Sequence, residues 1–180
     1  FSFCTNLQLE QLPDSVTEIS DGAFSFCTNL QLKKLPDNIT KIGGSAFQFC
    51  ENLKLTKLPD NVTEIGPDAF SCCTNLQLTE LPFNINKISA YTFSNCKSLK
   101  LEKIPDGITE IGMDAFHNTN IESIDIPASV TRLGAGSFET KSIKEIKVAN
   151  TSQWNEDVKK YVCGCYSDQV QLITINEQAG

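Results

Sequence analysis

Apolar and polar positions recur along this chain at one fixed interval, and the interval sets the architecture before any single residue is weighed. Pro13, Pro36, Pro59, Pro82 and Pro105 stand 23 residues apart. So do Phe1, Phe24, Phe47, Phe70, Phe93 and Phe116, and likewise Cys4, Cys27, Cys50, Cys73 and Cys96. The next copy is one residue shorter and yields Pro127 and Phe138. A period of this length denotes a solenoid, in which each unit buries its apolar face against its neighbours.

Aligned on its prolines, the unit reads NLxLxxLPDxVTxIGxxAFxxCT. Leu7 and Leu9, and their copies up to Leu99 and Leu101, alternate with polar residues, so one short parallel strand per coil is expected there. The proline after it lacks an N–H and ends the strand. Val16 and Ile19, with their copies, enter the core from the opposite wall. In AFxxC the Phe and Cys lie three apart, which predicts one helical turn with both inside. Coils stacked at about 4.8 Å would place identical residues above one another, giving a Phe spine and a Cys column. Each coil offers roughly six large apolar side chains at about 1.5–3 kcal/mol apiece when buried, so several coils together outweigh chain entropy where one cannot.

A solvent column supports the same register. Glu18, Lys41, Glu64, Lys87, Glu110 and Arg132 alternate in sign from coil to coil. Each exposed pair is worth only about 0.2–1 kcal/mol, but a slipped coil would meet like charge. Thr17, Thr40, Thr63, Asn86, Thr109 and Thr131 form a polar column beside it.

These residues resemble the leucine-rich repeats of the BspA-like type, a family of surface proteins of anaerobic and host-associated bacteria and of some parasitic protists. The resemblance rests on LPDSVTEISDGAFSFC, LPDNITKIGGSAFQFC, LPDNVTEIGPDAFSCC, IPDGITEIGMDAFHNT and IPASVTRLGAGSFETK. It implies an α/β repeat solenoid, a right-handed leucine-rich-repeat stack over residues 1–148, closed by a C-terminal cap over 149–180 within the same domain. The commoner form of the family reads LxxVxIP, as IESIDIP does here from Ile121 to Pro127, whereas the first five coils read LxLxxLP. That departure bears on which face of those five strands turns inward. The resemblance also implies a secreted or cell-surface location and binding to proteins of a host or of neighbouring cells. No catalytic residues and no cofactor carry over from it.

Composition narrows the classes further. A net charge of -7 and a pI near 4.7 argue against nucleic acid, which needs a clustered cationic excess, and against an anionic membrane surface. No run of eighteen apolar residues is present to insert into a bilayer. The chain opens on FSFC, in the middle of a repeat and without a visible signal peptide, and is expected to lack N-terminal coils. After Val148 the period fails. NTSQWNEDVKKYV spaces Trp154, Val158, Tyr161 and Val162 as a helix does, and VQLITI, residues 170–175, alternates as a strand, so the cap is expected to be a helix plus a last strand, with NEQAG frayed.

Five of the eight cysteines belong to the repeat column, where stacked Cβ atoms lie too far apart for disulfides, and buried free thiols are expected, with Cys72 more reactive. Cys163 and Cys165 form a single CxC, which lacks the second ligand pair of a zinc site. His117 is the only histidine, and nothing pairs with it as a nucleophile or metal ligand would. Asp14, Asp37, Asp60 and Asp106 follow prolines and read as turn formers.

Two surfaces are candidates for binding a partner protein or a second copy of the chain. The first is the polar face of the leucine strands, where Lys33, Lys34, Lys54, Lys57, Lys100 and Lys103 concentrate positive charge in an acidic chain. The second is aromatic: Phe3, Phe26 and Phe49, expected to point outward and stack, with Phe83 and Tyr91 on otherwise polar columns of the fourth coil. A non-enzymatic protein-binding module is expected; the alternative is a passive spacer or an intracellular scaffold.

Overall fold

The computed structural model describes residues 1–149 and 156–174. Each of the first five coils carries one short parallel strand, but after the proline rather than before it. These are β1 (Glu18–Ile19), β2 (Lys41–Ile42), β3 (Glu64–Ile65), β4 (Lys87–Ile88) and β5 (Glu110–Ile111). The sixth coil carries β6 (Ser123–Ile126) before its proline and β7 (Arg132–Leu133) after it. β8 (Glu145–Val148), α1 (Glu156–Cys163), a 3-10 helix (Gly164–Gln169) and β9 (Gln171–Thr174) follow.

The leucine segments of the first five coils therefore are not ladder strands, and the reason is parity. Leu30, Leu32 and Leu35 are all buried while Lys33 and Lys34 are both exposed. Two consecutive outward residues break the in-out alternation of a strand. Only scattered bonds join these segments, such as Lys33 N–H to Glu10 O at 3.1 Å and Lys100 N–H to Leu78 O at 3.0 Å. In IESIDIP the alternation holds over Ser123–Ile126, with Ile124 and Ile126 inward, and there a four-residue strand forms. The expected inward leucines are buried in coils two to five, and half-buried in the first.

AFxxC is not a helical turn either. Ala23, Ser25 and Cys27 N–H donate three residues back, to Ser20, Gly22 and Phe24 O, while Gly22 and Phe26 have φ of 62° and 60°. Positive φ at the third residue of such a bonded turn marks type II turns in succession. Between these bends the N–H groups of Gly22, Phe24 and Phe26 reach the following coil, at Gly44, Ala46 and Gln48 O, 2.7–2.8 Å away. The spine runs unbroken beneath them: ring centroids from Phe24 through Phe138 lie 5.4–5.7 Å apart and nearly coplanar. The shortened sixth unit stacks on the fifth as expected, with Glu110 in register with Arg132.

On the opposite wall the hydrogen bonds point the other way, toward the preceding coil. Gly43, Gly66, Gly112 and Gly134 N–H donate to Ile19, Ile42, Ile88 and Ile111 O at 2.7–2.8 Å. The approach is so close that a Cβ on Gly66 would sit 2.4 Å from Gly44 N, and one on Gly134 2.1 Å from Met113 N. In the fourth coil this column holds Ser89. There the backbone bond is missing, Ser89 Oγ donates to Ile65 O instead at 2.9 Å, and the ladder divides into β1–β2–β3 and β4–β5–β7.

At the C-terminal end β9 continues the β6–β8 ladder in parallel, and Tyr161 and Val162 O of α1 accept from Gly136 and Phe138 N–H, where earlier coils use the next coil. Helix and strand thus appear where expected; Trp154, Ile175 and the NEQAG tail lie outside the described residues.

All eight cysteines are free thiols. Cys27, Cys50, Cys73 and Cys96 donate to the Phe carbonyls of the preceding coils at 2.9–3.1 Å. Burial pushes Cys50 up to about 12 and raises Cys73 and Cys96 as well. Cys4, expected to be protected, is exposed in the first coil; Cys165 is exposed, and Cys163 is buried. A water-soluble thiol reagent at about pH 8 should therefore label Cys4 and Cys165 at once, Cys72 more slowly, and the buried five only on unfolding. Mass spectrometry of quenched samples reads this, and rapid labelling of the buried column would contradict the packing.

Candidate interaction surfaces

The leucine segments turn their polar residues to solvent, and Lys33, Lys34, Lys54, Lys57, Lys100 and Lys103 are all exposed. Sparse bonding between these segments leaves grooves, each lined by two of the lysines. Lys33 and Lys54 flank one of about 370 Å³ with Gln31 and Asn52. Lys34 and Lys57 flank one of about 220 Å³ beside Pro59. Lys100 and Lys103 flank the largest, about 700 Å³, where the irregular segment of coil five meets β6.

The positive charge is partly spent within the chain. Lys33 pairs with Glu10 at 2.6 Å, Lys57 with Asp60 at 3.1 Å and Glu80 at 3.4 Å, and Lys103 with Asp106 at 3.1 Å. Hydrogen bonds that the Lys57 ammonium donates to Asp60 and then Glu80 hold it above the usual lysine range. Among the described residues, no carboxylate lies within 4 Å of Lys34, Lys54 or Lys100. Sequence reading missed the far wall of the largest groove, Glu122, Asp125 and Lys147, the last two paired at 3.6 Å. The signal was the change from LxLxxLP to IESIDIP, which creates the mismatch between coils.

The aromatic candidates do not form one surface. Phe3, Phe26 and Phe49 stack at 4.8 and 4.5 Å, yet only Phe3 is fully exposed and the other two are half-buried. Their outward direction comes from left-handed backbone, φ 59–62°, not from a helical turn. Tyr91 is half-buried and its hydroxyl reaches Met113 Sδ of the fifth coil at 3.8 Å. Phe83 stands apart on the proline edge, 68% exposed. Among the described residues, no three of His, Cys, Asp and Glu converge as metal ligands would.

The model of the BspA type leucine rich repeat region matches in six copies, over residues 1–100 and 68–178. No curated protein matches. Among solved structures, a leucine rich cell surface protein from Faecalibacterium prausnitzii A2-165 is 36% identical with a TM-score of 0.67, over 77% of this chain and 38% of that one. A leucine-rich repeat protein from Bacteroides ovatus ATCC 8483 is 24% identical with a TM-score of 0.65, over 99% of this chain and 60% of its own length, and shares the fold. The chain thus spans less than two thirds of either protein. No helix among the described residues is long and apolar enough to cross a membrane. With the repeat matched over nearly its whole length, the chain belongs to the BspA-type leucine-rich repeat family.

Proposed function

We propose that this chain is a non-catalytic protein-binding module, residues 1–148 forming the repeat and 149–180 its cap, displayed at a cell surface or secreted, and serving adhesion or contact with a host. The observation that carries this reading is the contrast between columns. Inward positions keep Leu, Ile, Phe and Cys from coil to coil, while the outward positions of the leucine face vary along the stack between Gln, Lys, Thr and Glu. Packing demands the first and leaves the second free, so a variable polar face with unmatched lysines suits recognition of an acidic partner. The cell-surface description of the Faecalibacterium protein supports the location.

The test is binding of the purified chain to a panel of extracellular-matrix and mucosal proteins, followed by Lys34→Glu, Lys54→Glu and Lys100→Glu together. These three have no intramolecular ion pair to lose. Affinity is expected to fall at least about tenfold, or ~1.4 kcal/mol, while thermal stability stays near that of the parent. Unchanged affinity moves the site off this face. Absence of saturable binding throughout favours a passive spacer.

A further inference from the structure

The fourth coil keeps the large buried columns, Leu81, Ile85, Ile88, Phe93 and Cys96, but departs from the repeat at four positions nearer its outer edge. Phe83 replaces the Asp of coils one, two, three and five, Asn86 replaces Thr, Ser89 replaces the Gly of coils two, three, five and six, and Tyr91 replaces small or acidic residues. Tyr91 is engaged with Met113. The other three lie within seven residues, next to the one junction where the ladder is broken.

Several binding groups are left open there. The Thr40, Thr63, Thr109 and Thr131 N–H groups each donate to the preceding coil, at Thr17, Thr40, Asn86 and Thr109 O. Among the described residues Asn86 N–H and Ser89 N–H make no such bond, and Thr63 O accepts none. The alternating charge column is unmatched at the same place. Lys41 takes Glu64 at 3.2 Å and Arg132 takes Glu110 at 2.5 Å, so both vertical neighbours of Lys87 are engaged elsewhere, and among the described residues no carboxylate lies within 4 Å of it. Phe83 completes the set as a large ring in solvent. Phe83, Asn86 and Lys87 lie within four residues, at most about 14 Å of chain, and an exposed aromatic, an unbonded peptide N–H and a cation without a carboxylate partner are together complementary to one ligand chemistry.

We propose that the junction of the third and fourth coils docks an extended acidic segment of a partner polypeptide. Phe83 anchors an apolar side chain, Lys87 meets a carboxylate, and the peptide groups at Thr63 and Asn86 hydrogen-bond the segment's backbone. The inference rests on the protein-binding reading above but uses residues that line none of the lysine grooves. It predicts that the site depends on the broken ladder, so that restoring the glycine closes it.

The experiment is amide NMR of the full chain titrated with an acetylated, amidated octapeptide of aspartate carrying leucine at its third and sixth positions, and with the same peptide bearing lysine for aspartate. Saturable shifts at residues 63–66 and 83–89 are expected with the acidic peptide alone, persisting in the triple Lys34, Lys54 and Lys100 variant. Phe83→Asp, which restores the residue of the other coils, Lys87→Gln and Ser89→Gly should each weaken those shifts at least about tenfold. Thermal melts show that the variants stay folded. Shifts confined to the lysine grooves would overturn this site while leaving the protein-binding reading intact. No shifts at all would overturn it too, and the matrix-protein panel then decides the broader reading separately.

Discussion

Phe70→Ala is expected to cost about 3–5 kcal/mol, the largest loss available from a single side chain here. Its ring is fully buried in the middle of the spine, with neighbours at 5.4 and 5.7 Å on its two faces. Its carbonyl also accepts the Cys96 thiol at 3.1 Å, and its N–H donates to Thr92 O at 3.0 Å, so the backbone is held and cannot collapse into the vacancy. The same change at Phe1, 70% exposed and stacked on one face only, should stay within about 0.5 kcal/mol. Urea unfolding of both variants makes the comparison; near-equal losses would mean that the spine does not carry the stability assigned to it.

The second large effect is expected from one methyl group. In Gly66→Ala the new Cβ would lie 2.4 Å from Gly44 N and 2.8 Å from Gly43 C, both backbone atoms. Backbone cannot rotate aside, so coils two and three must part on that wall. The Gly66 N–H bond to Ile42 O and the β2–β3 pairing then go, at a cost of about 1–3 kcal/mol. Gly44→Ala is the control, since its Cβ would meet Pro67 only at 3.5 Å, an ordinary contact. Hydrogen exchange should quicken around Ile42 and Gly66 in the first variant and hardly change in the second. A Gly66→Ala chain with an intact ladder would also remove Ser89 as the cause of the division between β3 and β4.

Much of this was legible because, in a stacked repeat, period in sequence is period in space. Phe24 to Phe138, the inward leucines and the Glu–Lys alternation could be placed without coordinates, since any register other than the repeat would bury charge or expose rings. The ladders were not legible in the same way. Side-chain pattern reports a strand only through strict alternation, which LxLxxLP lacks, so the hydrogen bonds settle after the proline, at TEI and TKI. AFxxC misled for a related reason, because Phe and Cys three apart suit both a helical turn and successive type II turns. Asn95, Asn118 and Gly22, residues at ease with positive φ, carried the distinction, but Phe26 and Phe49 in the same column as the asparagines hid it. For the candidate site, the lysines and Phe83 were visible as outward positions. Their division into three grooves and one broken junction was not, since it depends on how closely adjacent backbones approach.

The opposed hydrogen bonds of the two walls bear on how long such a chain can grow. On the wall of turns the N–H groups of Gly22, Phe24 and Phe26 face the following coil, whereas Gly43 and Thr40 N–H, across the core, face the preceding one. Each peptide unit carries a dipole of about 3.5 D, and where such units align, as in a helix, they leave about half a charge at each end. Here the bonds of the two walls oppose each other, so their dipoles offset one another in part within every coil. Adding a coil therefore builds up less charge at the ends of the array than a stack with all its bonds aligned would.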